Sequence, residues 1–547
     1  MRPQPWSPKP VPTLWMDYVT GHGVTDTGNR VKATPGDRRQ NPNLADKLNL
    51  AATLGVSRIM FTGDIPKSEG GKRHWLLVKT PMWIPGKHWL GAWQSVTGRF
   101  EHAQTQQKLD VKCAAEWFGD LDLTPDEARQ AWAITAQALQ RADEKATMFL
   151  SPTATGANLW ALSLPRNVDP VHVEEDIAAE LRSTSGQHHV EHLVEGPDLI
   201  NHDDVLPLVK PTQYLNNFAY VDGRFMYAAV CNELGIGPAR RLNRAGAFEL
   251  LETQPYARAR YHVRFTVPQG WTHIGILPVK APGSTSRWIY PNRPGAMHET
   301  WADSAEIFVA LKHGWLIEPI EAIEFTNVTL GKKANGEIGE VKTRPLDTFA
   351  ERMIRTRELV MNHPEIPDTV RGAVASALRA IVLQTIGGFH SPGRASTVVV
   401  ESALDVPPQY QDTLQQHGDV FSYKIPTPSI NDRTRQFYHP EFSTQIWGRA
   451  RARLLSAPAA NKHKAGVLAL DPSTVLGVFG DAVYTTEIPA WSLPTEQGGG
   501  DDGKVGRLRL QGALVDGNYK FPVTIDQRDR LRARAEKAGL SKVGGTL

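Results

Sequence analysis

Two aspartates in this sequence stand where a carboxylate could do more than hold a turn. The stretch "VLGVFGDAVYTTEIP", Val475 to Pro489, sets Asp481 after a glycine between two runs of strand-forming residues. That is the pattern of a β-hairpin with Asp481 at its turn, and the simplest role for such an aspartate is to bond nearby backbone amides. A second stretch, "FAYVDGRFMYAAV", sets Asp222 at the end of a short apolar strand, with Tyr227 five residues on. On adjacent strands of one sheet, two such carboxylates could hold a pair of divalent ions about 4 Å apart, as phosphoryl transfer requires. One ion would activate an attacking hydroxyl, and both would stabilise charge on the phosphate and the leaving pyrophosphate. Oxygen ligands and the lack of a Cys/His cluster point to Mg2+, with Mn2+ as a substitute. A different metal candidate is His188 with His192, spaced i, i+4 in "STSGQHHVEHLVEGPD". The polarity of that segment and the absence of further ligands favour a linker.

These residues need elements to position them. The chain has 547 residues, 41% of them hydrophobic, enough for several domains with sizeable cores. Residues 1–200 read as one α/β domain: a Pro-rich lead, the strand candidates "RIMFTG" and "HWLLVKT", then the helix "TPDEARQAWAITAQALQRA" with Thr124 as N-cap. From Tyr214 the pattern turns to strands, including "FAYVDGRFMYAAV", "ARYHVRFTVP" and "HIGILPVK". Helices return at "WADSAEIFVALKHG" and in a long block where Pro364 and Pro367 divide a helical hairpin. A further helix fits "FSTQIWGRARARLLSA", ahead of the Asp481 hairpin, and a "GGGDDGK" loop leads into a charged helical tail.

Net charge is only +3, from 61 basic and 58 acidic residues. Its distribution is uneven: Arg433, Arg435, Arg449, Arg451, Arg453, Lys462 and Lys464 face a single acid, Glu441, with Phe437, Tyr438 and Trp447 interleaved. This pattern suits a phosphate backbone, or else a solvated helix face. Two distant cysteines, Cys113 and Cys231, make no disulfide framework, and the N-terminus lacks the apolar core of a signal peptide. With no uncharged run of about 18 residues to span a bilayer, the expected compartment is the cytoplasm and no membrane role is indicated.

The ordered series "FAYVDGRFMYAA", "YHVRFTVPQGWTHIGILPVK", "PLDTFAERMIRTREL", "ALRAIVLQTIGGF" and "VFGDAVYTTEIP" resembles the polymerase core of family B DNA polymerases, most of all the compact protein-primed, plasmid and phage branch. The resemblance spans roughly residues 205–490. It implies an α+β multidomain right hand: a palm with an antiparallel sheet (205–345 and 396–490), helical fingers (346–395) and a short thumb (491–547). Residues 1–200 would be an RNase H-like exonuclease domain, degenerate because "WMDYVTG" offers Asp17 but has Val19 where the family has a Glu.

The same resemblance assigns roles. Asp222 and Asp481 would be the catalytic metal ligands, and Tyr227 would pack beneath the sugar and exclude a ribose. In the third palm motif two registers are open. One matches Asp481 to the dispensable first Asp and puts Val483 at the catalytic place; the other, which preserves the hairpin, makes Asp481 the essential ligand. In the fingers, Arg379 matches the family's Lys, Ile386 stands at its Tyr and Gly387 at its Gly. Arg357 and Arg355 resemble a second cationic arm, and Gln384 lines the same face. Arg449, Arg451, Arg453, Tyr519 and Lys520 are candidates for DNA contact. The implied partners are a DNA template and primer, deoxynucleoside triphosphates and a priming or replication protein.

Overall fold

The structure is a computed structural model that describes residues 3–6, 9–36, 39–65, 68–69, 73–74, 80–85, 89–90, 96–119, 121–164, 170–185, 190–192, 202–235, 238–281, 288–326, 328–333, 335–342, 346–391, 396–400, 402–417, 420–425 and 435–539. The chain is a mixed α+β protein that divides into two compact units, each assembled from separate stretches of sequence.

One unit combines Arg2–Ser163 with Arg355–Tyr438. Its sheet places Thr13–Asp17, Arg58–Thr62 and Lys108–Cys113 side by side and parallel. His22–Thr25 and Arg30–Lys32 extend the sheet antiparallel on one side, and Val96–His102 on the other. The helix Leu44–Thr53 leads into Arg58–Thr62, the crossover that parallel neighbours require. The helix Pro125–Ala142 begins as its sequence predicts: Thr124 and Glu127 form a reciprocal capping box, with Pro125 at the first helical position. Its Trp132 packs against Trp15 and Trp117, with ring centroids 5.7 and 4.8 Å away.

The helices Asp347–Met361 and Asp368–His390 are separated at Pro364 and Pro367 as expected. The second continues through Gly387 and Gly388 to His390 instead of ending at the glycine pair. A Cβ on Gly388 would come within 2.7 Å of Thr153 Cγ2, so close approach to the helix Pro152–Ser163 explains a glycine there. Asp368–His390 is also the one described helix long and apolar enough to cross a membrane; half of that apolar window is buried in the structure. Most of "HWLLVKT" lies outside the described residues.

The other unit combines Leu164–Ile354 with His439–Leu547. Its five-stranded sheet runs Val190–His192, Val475–Phe479, Ala482–Thr485, Phe218–Gly223, Leu508–Leu514, every neighbouring pair antiparallel. Alternation along Phe218–Gly223 sends Ala219 and Val221 into the larger apolar core, with Val478, Val483 and Leu510. Phe218 and Tyr220 go to the opposite face, where Ala482, Tyr484 and the C-terminal helix Ile525–Ala538 cover them. Both faces are therefore dry, which accounts for the near-continuous apolar character of "FAYV". A four-stranded antiparallel sheet of Ala239–Leu242, Leu316–Phe325, Ala259–Thr266 and Met297–Asp303 completes the larger core.

Two local expectations are overturned in this unit. The strand of "FAYVDGRFMYAAV" stops at Gly223, and Met226–Val230 is helical. The polar "STSGQHHVEHLVEGPD" is not wholly linker, since Val190–His192 pairs with Val475–Phe479. His188 lies outside the described residues.

Candidate active site at the end of an antiparallel sheet

Phe479 pairs with Ala482, which leaves Gly480 and Asp481 as a two-residue hairpin turn. Gly480 has φ +61°, a conformation that favours glycine at the first turn position, while Asp481 keeps an ordinary negative φ. On the neighbouring strand Asp222 stands directly opposite Ala482, and the Gly223 amide donates to the Asp481 carbonyl at 3.1 Å. The two aspartates thus lie at the same end of adjacent strands, one register step apart. Pleating assigns Asp222 to the face of Tyr220 and Ala482, whereas the Asp481 carboxylate lies beside Gly223 on the face of Val221.

Gly223 makes room for that turn. A Cβ at this position would lie 2.6 Å from Asp481 Oδ2, 3.1 Å from Asp481 Cβ and 2.8 Å from Met226 Cβ. The Asp481 carboxylate therefore leans over the backbone of the residue that follows Asp222. Both acids are buried, with 2% of Asp222 and 6% of Asp481 exposed.

Beyond Gly223 the chain reverses through Phe225, whose φ of 51° and ψ of 43° are left-handed, a conformation that costs a non-glycine residue about 1–3 kcal/mol. The reversal starts the short helix carrying Tyr227, half-buried, with its hydroxyl 3.6 Å from where a Cβ on Gly480 would stand. The structure thus gathers Asp222, Tyr227 and Asp481 around one strand end. Arg224 is fixed beside them: its guanidinium meets Asp501 at 2.6 Å and its amide donates to the Arg507 carbonyl at 2.7 Å. In the same loop Arg507 holds the Asp502 carboxyl well below the usual carboxylate range.

The donor set fits a hard divalent cation. Two carboxylates offer anionic oxygens, and Mg2+ is commonly held by one or two carboxylates, with waters and substrate phosphates completing its octahedron. Among the described residues, no group of three or more His, Cys, Asp and Glu side chains is placed to hold a metal.

The other predicted residues fall elsewhere. Arg355 and Arg379 are exposed and Arg357 half-buried on the helices Asp347–Met361 and Asp368–His390; Gln384 accepts from the Thr153 hydroxyl at 3.2 Å. These four, with Gly387, belong to the unit that does not contain Asp222 and Asp481. Ile386 is a core residue, 1% exposed. Tyr519 is half-buried, donating to the Val515 carbonyl at 3.3 Å, and Lys520 beside it is exposed.

The basic run needs correction. Arg449 and Arg451 are only 3% and 1% exposed, because the helix Pro440–Leu455 is enclosed on nearly every side. Arg449 approaches Glu233 at 3.5 Å and Asp303 at 3.9 Å; Arg451 donates to the Gly275 carbonyl at 3.2 Å and stacks on Tyr290. Arg453, half-buried, pairs with Glu233. Neither a phosphate-facing surface nor a solvated face describes Arg449 and Arg451, and Arg449 lies beside the buried Asp303 carboxylate.

In the N-terminal sheet, Asp17 Oδ1 accepts from the Thr20 amide and hydroxyl, both at 2.7 Å, and Oδ2 rests against Gly63. Val19 is exposed. Sequence reasoning passed over Gly223 and Arg509, the residue opposite Asp222 on its other side. A glycine inside a strand pattern was a usable signal for the first; register, which the sequence does not carry, was needed for the second.

No family model and no curated protein matches this chain. Among solved structures it is similar to the family B DNA polymerase from the hyperthermophilic archaeon Pyrobaculum calidifontis, with a TM-score of 0.29 and 10% identity. That match covers 94% of this chain, which spans 57% of the length of that polymerase.

Proposed function

We propose that the chain is a DNA-templated DNA polymerase of the compact plasmid and phage type, transferring nucleotides from deoxynucleoside triphosphates to a primer. The observation that carries this reading is the placement of Asp222 and Asp481 at one end of adjacent antiparallel strands, with Gly223 cleared for the Asp481 carboxylate. Asp222 and Asp481 would hold two Mg2+ ions, which when bound supply a more acidic primer hydroxyl and neutralise charge on the α-phosphate and pyrophosphate. The chain's own residues do the positioning. Burial of both carboxylates strengthens their attraction for a cation relative to water. The Tyr227 ring, two residues after the Phe225 reversal, would pack beneath the incoming sugar. Arg379 and Arg357 as triphosphate ligands, with Arg355, Gln384 and Gly387 beside them, are proposed on the sequence resemblance alone. So are Tyr519 and Lys520 as DNA contacts and a protein or nucleic-acid primer; a cytoplasmic setting is proposed on the lack of a disulfide framework. We place no proofreading in the N-terminal unit on the sequence resemblance alone, since Val19 stands where the family has the Glu that partners Asp17.

The test is extension of a labelled primer on a DNA template with Mg2+ and all four deoxynucleotides. Wild type should extend it, and Asp481→Ala should lose at least about 100-fold in rate while still binding DNA, as expected when a metal ligand is removed. Near-normal extension by Asp481→Ala would overturn the assignment. A second reading, a catalytically silent polymerase-like replication initiator or DNA-binding scaffold, draws on the single Asp in "VFGDAVYTT" and on Ile386 at the place of the fingers Tyr. It predicts DNA binding without extension by wild type, whatever primer is supplied.

A further inference from the structure

The strand carrying Asp222 has two neighbours of different character. On the hairpin side Asp222 faces Ala482; on the other side, across to Leu508–Leu514, it faces Arg509. Directly opposed residues of antiparallel strands project to the same face, with Cβ atoms about 5 Å apart. The next pair checks this assignment: Val221 and Leu510 both enter the larger apolar core, so Asp222 and Arg509 share the opposite face. Arg509 is half-buried. Gln511, with its amide oxygen turned to the guanidinium, accepts from Arg509 Nε at 3.0 Å and Nη2 at 2.8 Å, which steadies the charged head on that face.

Asp222 is a carboxylate that water scarcely reaches, and an ionised carboxylate so placed needs a compensating charge. We propose that Arg509 is a displaceable counter-ion for Asp222. It stabilises the carboxylate while no divalent cation is bound and competes with the cation for it. Arg509 is thereby a positioning residue, acting through Asp222. The identity of the cation rests on the proposed function; the pairing in the metal-free protein does not.

The experiment is thermal unfolding of the full chain, metal-free and across a Mg2+ titration, for wild type, Arg509→Gln, Arg509→Lys, Asp222→Asn and the double variant Asp222→Asn/Arg509→Gln. In the metal-free protein Arg509→Gln should lower the midpoint by a few degrees, and the same change should cost less once Asp222 is Asn, the non-additivity of an interacting pair. Arg509→Gln should also lower the half-saturating Mg2+ concentration roughly tenfold, the effect of removing one nearby charge at a partly screened site. Arg509→Lys should stay near wild type in both. Additive effects in the metal-free protein overturn the counter-ion, as does an unchanged half-saturation in a wild type that does bind Mg2+. Should wild type show no Mg2+-dependent shift, the metal reading of the site fails; non-additivity in the metal-free protein would then still support the counter-ion.

Discussion

Replacing Gly223 with alanine adds one methyl group against the Asp481 carboxylate, one residue after Asp222. That Cβ would stand 2.6 Å from Asp481 Oδ2, whereas ordinary contact begins near 3.4 Å, so the carboxylate oxygen must retreat by about 0.8 Å. It would also press on Met226 Cβ at 2.8 Å, an atom tied to the helix that carries Tyr227 and unable to swing aside. Two consequences follow. Overpacking of this kind costs about 1–3 kcal/mol, so the melting temperature should fall by several degrees. A displacement approaching 1 Å in a reacting constellation costs on the order of 100-fold in rate, so primer extension measured well below the melting transition should fall by about that factor. Gly270→Ala is the control, because nothing lies within 4 Å of its added Cβ; it should leave extension unchanged and stability equal or slightly raised. A Gly223→Ala protein with wild-type extension and an unchanged melting temperature would refute the close approach of Asp481 to the strand end.

The remaining predictions concern the sugar and a buried acid. Tyr227→Ala should relax discrimination against ribonucleotides, read as the ratio of ribo- to deoxynucleotide incorporation; an unchanged ratio removes Tyr227 from the sugar site. Glu306, buried in the capping box with Asp303, has its pKa pushed up from 4.5 to about 7, chiefly by desolvation, with Arg260 opposing and Asp303 adding to the rise. Between these values the folded protein holds a proton that the unfolded chain has released, so stability should fall as pH rises from about 4.5 to 7, by on the order of 2–3 kcal/mol. Glu306→Gln keeps a capping acceptor and removes the charge. It should flatten that pH dependence in thermal melts and raise stability at pH 8; a melt as pH-dependent as wild type would count against it.

What was legible in the sequence was mostly local. Thr124 and Glu127 announced a helix start because a capping box is set by four consecutive residues, and Pro364 and Pro367 marked a break because proline cannot continue a helix. Asp481 at a hairpin turn could be read from Gly480 beside it. Less visible was anything decided by packing. "FMYAAV" has strand-like composition, yet a left-handed Phe225 turns it into a helix that the core then buries. Arg449 and Arg451 look like a surface charge run until Glu233, Asp303 and Gly275, from distant segments, surround them. The neighbours of Asp222 come from residues far along the chain, and only pairing reveals that one is alanine and the other arginine.

The order of strands in that sheet also bears on how the protein is made. Among the described residues Phe218–Gly223 pairs only with strands that begin more than 250 residues later, and its outer partner ends at Leu514. At about 5–20 residues per second, a ribosome takes roughly 15–60 s to synthesise the intervening chain. For that interval an apolar strand with both edges open has no native partner, which is the state most prone to pair with another nascent chain. Yield in cells should therefore depend on chaperone supply and translation speed, even for substitutions that leave the melting temperature of the finished protein untouched.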